Sequence, residues 1–191
     1  RLSYSAGWNT FTTDGWRTNA NQKDNLGNIF LQYEFTPDTS IQAEYRYRKL
    51  TRGDLRLRFF EDNFDSGQQN TAKTNTYRLG LRHNLTPNQT ILLNGMYQTA
   101  DFQTNINELP APLNTLNFQQ PQNAWTGEAQ HILRSHYVNT IIGAGYSYIN
   151  GVTRFIVKTD TFCALPNPTP PPDCLIEIPG DQQSTQTGND I

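Results

Sequence analysis

From Ile41 to Arg48 the chain reads Ile41, Gln42, Ala43, Glu44, Tyr45, Arg46, Tyr47, Arg48, with apolar or aromatic residues at the odd positions and polar or charged ones at the even. A period of two is the spacing of a strand with one dry face and one wet face. It resumes in Leu55, Arg56, Leu57, Arg58 and Phe59, so one strand from Ser40 to about Phe60 is expected. Ile29, Leu31, Tyr33 and Phe35 form an apolar face on the preceding segment. The same alternation runs through Leu2–Trp8, Tyr77–Leu85, Ile91–Tyr97 and Trp125–Leu133, and at even positions through Ile142–Tyr148. The pattern predicts seven strands and no amphipathic helix.

The connections alternate between short and long. Short turns are expected at Thr36-Pro37-Asp38-Thr39, at Thr86-Pro87-Asn88-Gln89 and around Ser135 to Asn139, because proline presets a turn φ and Asp or Asn satisfies the local backbone. Phe35-Thr36-Pro37-Asp38 and Leu85-Thr86-Pro87-Asn88 are 50 residues apart, and the third turn follows at a similar distance. Long polar connections are expected over Thr12 to Asn25, Glu61 to Thr74, Asp101 to Gln122 and from Thr159 onward. The unit is a hairpin with a long return loop, repeated three times.

Composition alone suggests something different. The 191 residues are 35% hydrophobic and 17% charged, with a net charge of −2. Asn and Gln number 35 and mean hydropathy is −0.69. No apolar run approaches the roughly 18 residues of a membrane-spanning helix. The near-neutral charge argues against a nucleic-acid partner, and 22 aromatics argue against disorder. Read alone, these numbers describe a polar, soluble domain.

The sorting of loops by length separates two architectures. A β-sandwich alternates too, but its connections are not usually sorted by length between its ends. A transmembrane barrel has short turns at one end, long loops at the other, an apolar outside and a polar inside. Its aromatics ring the wall at fixed height. Tyr47 lies eight residues after Thr39, Tyr77 nine before Thr86, Tyr97 eight after Gln89, Trp125 ten before Ser135 and Tyr146 seven after Asn139. All five fall on the apolar face, near the roughly 9–11 residues of a tilted membrane strand. Tyr33 and Phe35, beside a short turn, would belong to the opposite girdle. The expected fold is therefore all-β, an antiparallel transmembrane barrel meander over residues 1–160, with a Pro/Gln/Thr-rich extracellular loop or tail over 161–191. Low average hydropathy suits such a wall, which needs apolar residues only at alternate positions. The part of the 40–60 strand beyond the membrane would project as a two-stranded ribbon. Seven strands are fewer than the even eight or more of a single-chain barrel, so the chain is expected to be part of a larger one. Leu175-Ile176-Glu177-Ile178 offers an eighth strand, too short to cross a membrane.

The Trp-Asn-Thr-Phe-Thr-Thr-Asp-Gly-Trp-Arg stretch (8–17) and the Phe-Thr-Pro-Asp-Thr-Ser-Ile-Gln-Ala-Glu-Tyr-Arg stretch (35–46) resemble the barrel regions of bacterial outer-membrane proteins. The chain is similar, over most of residues 1–160, to porin- or TonB-dependent-receptor-like barrels, some of which are fused to periplasmic tetratricopeptide repeats. No TonB box or plug sequence stands in these residues. The resemblance implies the bacterial outer membrane as location, its lipid bilayer as partner, and passage or uptake of solutes as function. A plug or periplasmic protein is a further partner it admits. Two other functions fit the pattern: a non-transporting barrel sheathing a periplasmic or cytochrome partner, and a secreted β-sandwich or adhesin displaying the long loops.

Candidate chemistry is sparse. Arg46, Arg48, Arg52, Arg56, Arg58, Arg78 and Arg82 occupy polar-face positions, with Glu34 and Glu44 nearby. A guanidinium ladder can attract anions and set pore selectivity, or simply pair with Glu34, Glu44, Asp54 or a plug. His83, His131 and His136 lack the Ser or Asp partners a hydrolase needs, so no enzyme and no cofactor is expected. Glu61, Asp62 and Asp65, with Asn63, Ser66 and Gly67, carry oxygen ligands but not the spacing of a calcium loop, and a solvated loop is the simpler account. Asn84-Leu85-Thr86 and Asn88-Gln89-Thr90 match a glycosylation sequon at a turn where the same residues serve turn chemistry. Cys163 and Cys174 flank a proline-rich segment. A disulfide between them would clip it; unpaired thiols in a loop are the alternative. No Cys/His cluster supports a metal site.

Overall fold

The computed structural model describes residues 1–54, 65–107, 113–159 and 174–190, with side chains over 1–54, 65–107 and 115–156. The strands are β1 (Leu2–Thr13), β2 (Gln22–Thr36), β3 (Thr39–Arg52), β4 (Gln68–Thr86), β5 (Gln89–Asn107), β6 (Leu113–Arg134), β7 (Asn139–Thr159) and β8 (Cys174–Asp190). Each pairs antiparallel with the next in a single sheet of order β1 to β8, and the described residues contain no helix. β1 and β8 are not paired with each other, so the meander is an open sheet and not a closed barrel.

The seven strands expected from alternation are β1 to β7, and their register explains the parity switch. Trp125 pairs with Tyr148, Ala129 with Ala144 and His131 with Ile142, so odd positions of β6 share a face with even positions of β7. The 50-residue repeat extends to backbone detail. Thr36 pairs with Thr39 and Thr86 with Gln89 across the two Pro-Asp/Asn turns. Each turn is preceded by a register shift, between Glu34 and Thr36 and between Asn84 and Thr86. A bulge beside a tight turn bends and twists the strand, and both hairpins use one at the equivalent place.

The long connections are shorter than expected. β1 reaches Thr13 and β2 begins at Gln22; β4 already begins at Gln68. β5 runs to Asn107 and β6 starts at Leu113, so most of the expected 101–122 loop is hairpin. Polar residues satisfy the backbone ladder as well as apolar ones do, and here they also pair sideways. Thr104 Oγ1 donates to Asn70 Oδ1 at 2.8 Å, and Asn117 donates to Asn105. Pro121 has no N–H to give, and the β6–β7 ladder skips it between Gln119 and Gln122. The single strand expected over 40–60 ends at Arg52, where the chain bends at Gly53. Leu55 to Phe59, with Arg56, Arg58 and the projecting ribbon, lies outside the described residues. Within the expected 161–191 loop or tail, the backbone of Cys174–Asp190 is β8, in unbroken register with Val157 to Ile141 of β7.

Among the described residues there is no second layer: the buried hydrophobic ones are Ala20 and Ala100, and the buried charged one is Asp54. Leu79 is 68% exposed, Trp8 66%, Trp125 58% and Ile142 54%, all on one face of the sheet. A sandwich would cover that face with a second sheet, and none exists among the described residues.

Candidate functional site

The polar face of β3 and β4 gathers the predicted arginines. Glu44 pairs in register with Arg78, Ser40 with Arg82, Arg46 with Thr76 and Arg48 with Thr74. Glu44 sits between two guanidinium groups, at 2.8 Å from Arg46 and 3.3 Å from Arg78. Arg48 grips Asp24 of β2 through both its Nε and an Nη, the shortest contact being 2.7 Å. Two carboxylates thus hold three arginines, while Arg82 reaches only Asn84. Among the described residues, Arg52 and Glu34 make no ion pair, and Asp54 lies in the loops, away from the ladder. Asp24 was not singled out from the sequence, which put it in the expected 12–25 connection; the start of β2 at Gln22 sets it on this face. The arginines of the three pairs remain 45–50% exposed at the side chain, so each pair is worth about 1 kcal/mol or less. Depressions open here. One of about 490 Å³ is lined by Glu44, Arg78, Asn94, Met96 and Thr126, and one of about 340 Å³ by Arg48, Arg52, Asn70, Phe102 and Thr104.

On the apolar face the aromatics form a connected line. Tyr45, Tyr77, Tyr97, Trp125 and Tyr148 stand in register in one row across the strands. Ring centroids are 5.0 Å apart for Tyr45–Tyr77, 6.2 Å for Tyr77–Tyr97 and 4.2 Å for Tyr97–Trp125. Tyr47 lies one row nearer the long loops, stacked on Trp8 at 6.1 Å. Between them lies Gly27, where a Cβ would stand 2.7 Å from the indole of Trp8. Tyr146 lies one row nearer the short turns, opposite Gly127. The line therefore steps across rows from β1 to β7, as a level line does on tilted strands. Counting from the turns found Tyr47, Tyr77, Tyr97, Trp125 and Tyr146 but passed over Tyr45, Tyr148 and Trp8, which only register brings in. Tyr33 and Phe35 meet edge to face at 4.8 Å near the short turn.

The next row toward the long loops is polar: Asn75, Thr99, Asn123 and Asn150. The Tyr45 hydroxyl donates to Asn75 Oδ1 at 3.0 Å and the Tyr97 hydroxyl to Asn123 Oδ1 at 3.5 Å. Asn150 Nδ2 donates to the Tyr148 hydroxyl at 3.2 Å, and Asn75 Nδ2 to Thr99 Oγ1 at 3.2 Å. Each of these rings lies against the apolar side and turns its hydroxyl toward an amide row on the long-loop side.

At the long-loop end the β1–β2 connection docks into the β3–β4 connection. Asn19, at φ 56°, donates from Nδ2 to the carbonyls of Asp65 and Gln68 at 2.7 and 2.8 Å. Arg17 donates to the Asp54 carbonyl at 3.0 Å, and the Asp54 carboxylate accepts the Asp65 amide at 2.9 Å.

The remaining candidates have local roles. His83 Nδ1 lies 2.9 Å from Thr39 Oγ1, joining the ends of two strands, and His136 packs its ring edge against Tyr137. His131 stands between Ile91 and Ile142. The three imidazoles share no site. Asn84 Oδ1 accepts the Thr90 hydroxyl at 3.0 Å, and Thr86 Oγ1 accepts the Asn88 amide at 3.3 Å, which is turn chemistry. Asp65 Oδ1 accepts the Gly67 amide, while Glu61, Asp62 and Asn63 lie outside the described residues. No group of three potential metal ligands occurs among the described residues. Cys163 also lies outside them, so the predicted disulfide is not tested by the backbone of Cys174.

No protein-family model matches the chain, and no curated protein matches it in sequence.

Proposed function

We propose that this chain is a segment of a bacterial outer-membrane β-barrel that passes or takes up solutes, with its apolar face toward lipid and its arginine-bearing face toward a wet lumen. The observation that carries the proposal is the exposed apolar face, crossed by a line of aromatics in which the Tyr45, Tyr97 and Tyr148 hydroxyls meet an amide row. Such a face has no stable partner in water. In a bilayer its aliphatic part meets acyl chains, and the aromatic line lies where an apolar ring and a polar tip are both satisfied. The open edges of β1 and β8 support a larger barrel, since a membrane sheet must pair every strand edge. Strands of 14 to 22 residues from β2 to β7 exceed the roughly 9–11 needed to cross, so their far halves stand above the membrane as a ribbon of hairpins. In the lumen, Glu44 and Asp24 hold the arginines in place and moderate their field, leaving Arg52 and Arg82 as the freer cations.

Adjacent residues on opposite faces supply the test. In the full-length protein in intact outer membranes, a hydrophilic thiol reagent is expected to label Arg78→Cys and to reach Leu79→Cys only after detergent extraction. Equal labelling of both positions in intact membranes overturns the proposal. Planar-bilayer conductance then separates a pore from a non-transporting sheath, because insertion without conductance leaves only the latter.

A further inference from the structure

On β2, β3 and β4 the cations are sorted by type between the two faces. Lys23, Lys49 and Lys73, three of its four lysines, stand on the apolar-face positions of β2, β3 and β4, whereas Arg46, Arg48, Arg78 and Arg82 stand on the polar face. Lys49 is directly opposite Lys73, and Lys23 lies diagonally next to Lys49 in the adjoining row. Like charges so placed destabilise a sheet unless something negative lies between them. All three lysines are exposed, and none makes a hydrogen bond or ion pair among the described residues. Asp101, opposite Lys73, instead accepts a hydrogen bond from Gln103 at 2.9 Å.

The height of the lysines matters as much as their charge. Lys49 and Lys73 lie four residues beyond Tyr45 and Tyr77 on the long-loop side, about 13 Å along the strand. Going outward, β4 therefore runs from aliphatic Leu79 to aromatic Tyr77, to the Asn75 amide, to the Lys73 ammonium, while on β3 Tyr47 stands beside Asn75 just below Lys49. On the aliphatic side, the same strands form an apolar depression of about 710 Å³ lined by Leu31, Tyr33, Ile41, Ala43, Leu79 and Leu93. A lysine stem lies along apolar surface while its ammonium stays in water, and it meets phosphate as a mobile point charge.

We infer that Lys23, Lys49 and Lys73 bind the phosphate-bearing headgroup of an anionic amphiphile whose acyl chains lie against the apolar face of β2 to β4. Asp101 supplies one negative charge on the far flank of Lys73, and the bound phosphate supplies a further one between Lys49 and Lys73. This inference rests on the membrane reading above and adds to it a lipid class and a site.

The test uses the full-length protein in nonionic detergent, titrated with a bisphosphorylated, acylated glucosamine disaccharide and followed by tryptophan emission. The triple variant Lys23→Gln, Lys49→Gln, Lys73→Gln is expected to bind this glycolipid about 100-fold more weakly, from three cations near an anionic surface. The triple Lys→Arg variant should retain binding, and Arg78→Gln, on the other face, should leave it unchanged. The dephosphorylated glycolipid should bind wild type as weakly as the triple Gln variant binds the phosphorylated one. Undiminished binding by the triple Gln variant overturns the assignment. Equal competition by inorganic phosphate, phosphate for phosphate, also overturns it, in favour of a free-anion site. Thiol labelling at Leu79→Cys in membranes reads insertion separately, so failure of the membrane reading is distinguishable from failure of the lysine site.

Discussion

At the long-loop end, Asn19, Asp54 and Asp65 close on one another through carbonyl, amide and carboxylate contacts, and both Ala20 and Asp54 are 1% exposed. In the wall, Leu79 is 68% exposed, and Leu31 in its row and Leu93 in the adjoining row are close to half exposed. The loop corner carries partners of its own: Asn19 is bonded to the Asp65 and Gln68 carbonyls, and the Asp54 carboxylate to the Asp65 amide. The wall's aromatics and amides touch along one band, but its aliphatic surface is offered outward. One region is completed by the chain itself, the other by its surroundings.

Substitutions can break this contrast, and the largest effect is expected in the wall. Leu79→Arg should destabilise the membrane-folded protein by about 2–4 kcal/mol, the cost of a cation on a lipid face near mid-depth. Urea titration of the full-length protein refolded into vesicles measures it. A change within about 0.5 kcal/mol, normal for an exposed surface position in water, would remove the distinction between the regions. Next comes the corner. A Cβ at Gly53 would stand 2.1 Å from the Asn19 carbonyl oxygen, so Gly53→Val should loosen the docked connections by about 1–3 kcal/mol. Limited proteolysis should then cut within 14–21 or 65–67 while the sheet stays intact. Should the same variant melt the sheet as well, corner and wall are one cooperative unit.

Two smaller effects sharpen the boundary between faces. Asn75→Ala removes the acceptor of the Tyr45 hydroxyl and the donor to Thr99, for an expected loss of about 1 kcal/mol in vesicle-refolded protein. No loss would mean that water serves the tyrosine equally well. Glu44→Gln should change stability by less than about 1 kcal/mol, because Arg46 and Arg78 are half exposed. It should nevertheless move the reversal potential of the conducting protein toward anions, by freeing two guanidinium charges. An unshifted potential places the ladder away from the conducting path.

The strands most legible in the sequence are those with one clean alternation. Ile41 to Arg48 reads directly as β3, and Tyr77 to Leu85 as the half of β4 next to the turn. Beyond these segments the alternation fades into Asn, Gln and Thr, which look like loop because their side chains do not mark a face. Their backbone N–H and C=O groups pair regardless, which is why 101–107 and 113–122 extend a hairpin. The arginine ladder was legible as a face but not as a set of pairs. Glu44 is two residues from Arg46, whereas Asp24 is 24 residues from Arg48 and reaches it only across a strand pair.

By itself, the sequence determined which residues share a face, where the tight turns fall, and that short and long connections alternate. These follow from a period of two and from proline and Asx chemistry, both local. Tertiary structure alone decided which residues stand level. Register set Tyr45 and Tyr148 in the aromatic row, stacked Trp8 on Tyr47 over Gly27, and brought Lys49 opposite Lys73. Register is a property of strand pairs: it depends on where each turn closes and on the bulges at Phe35 and Leu85, which no single strand records.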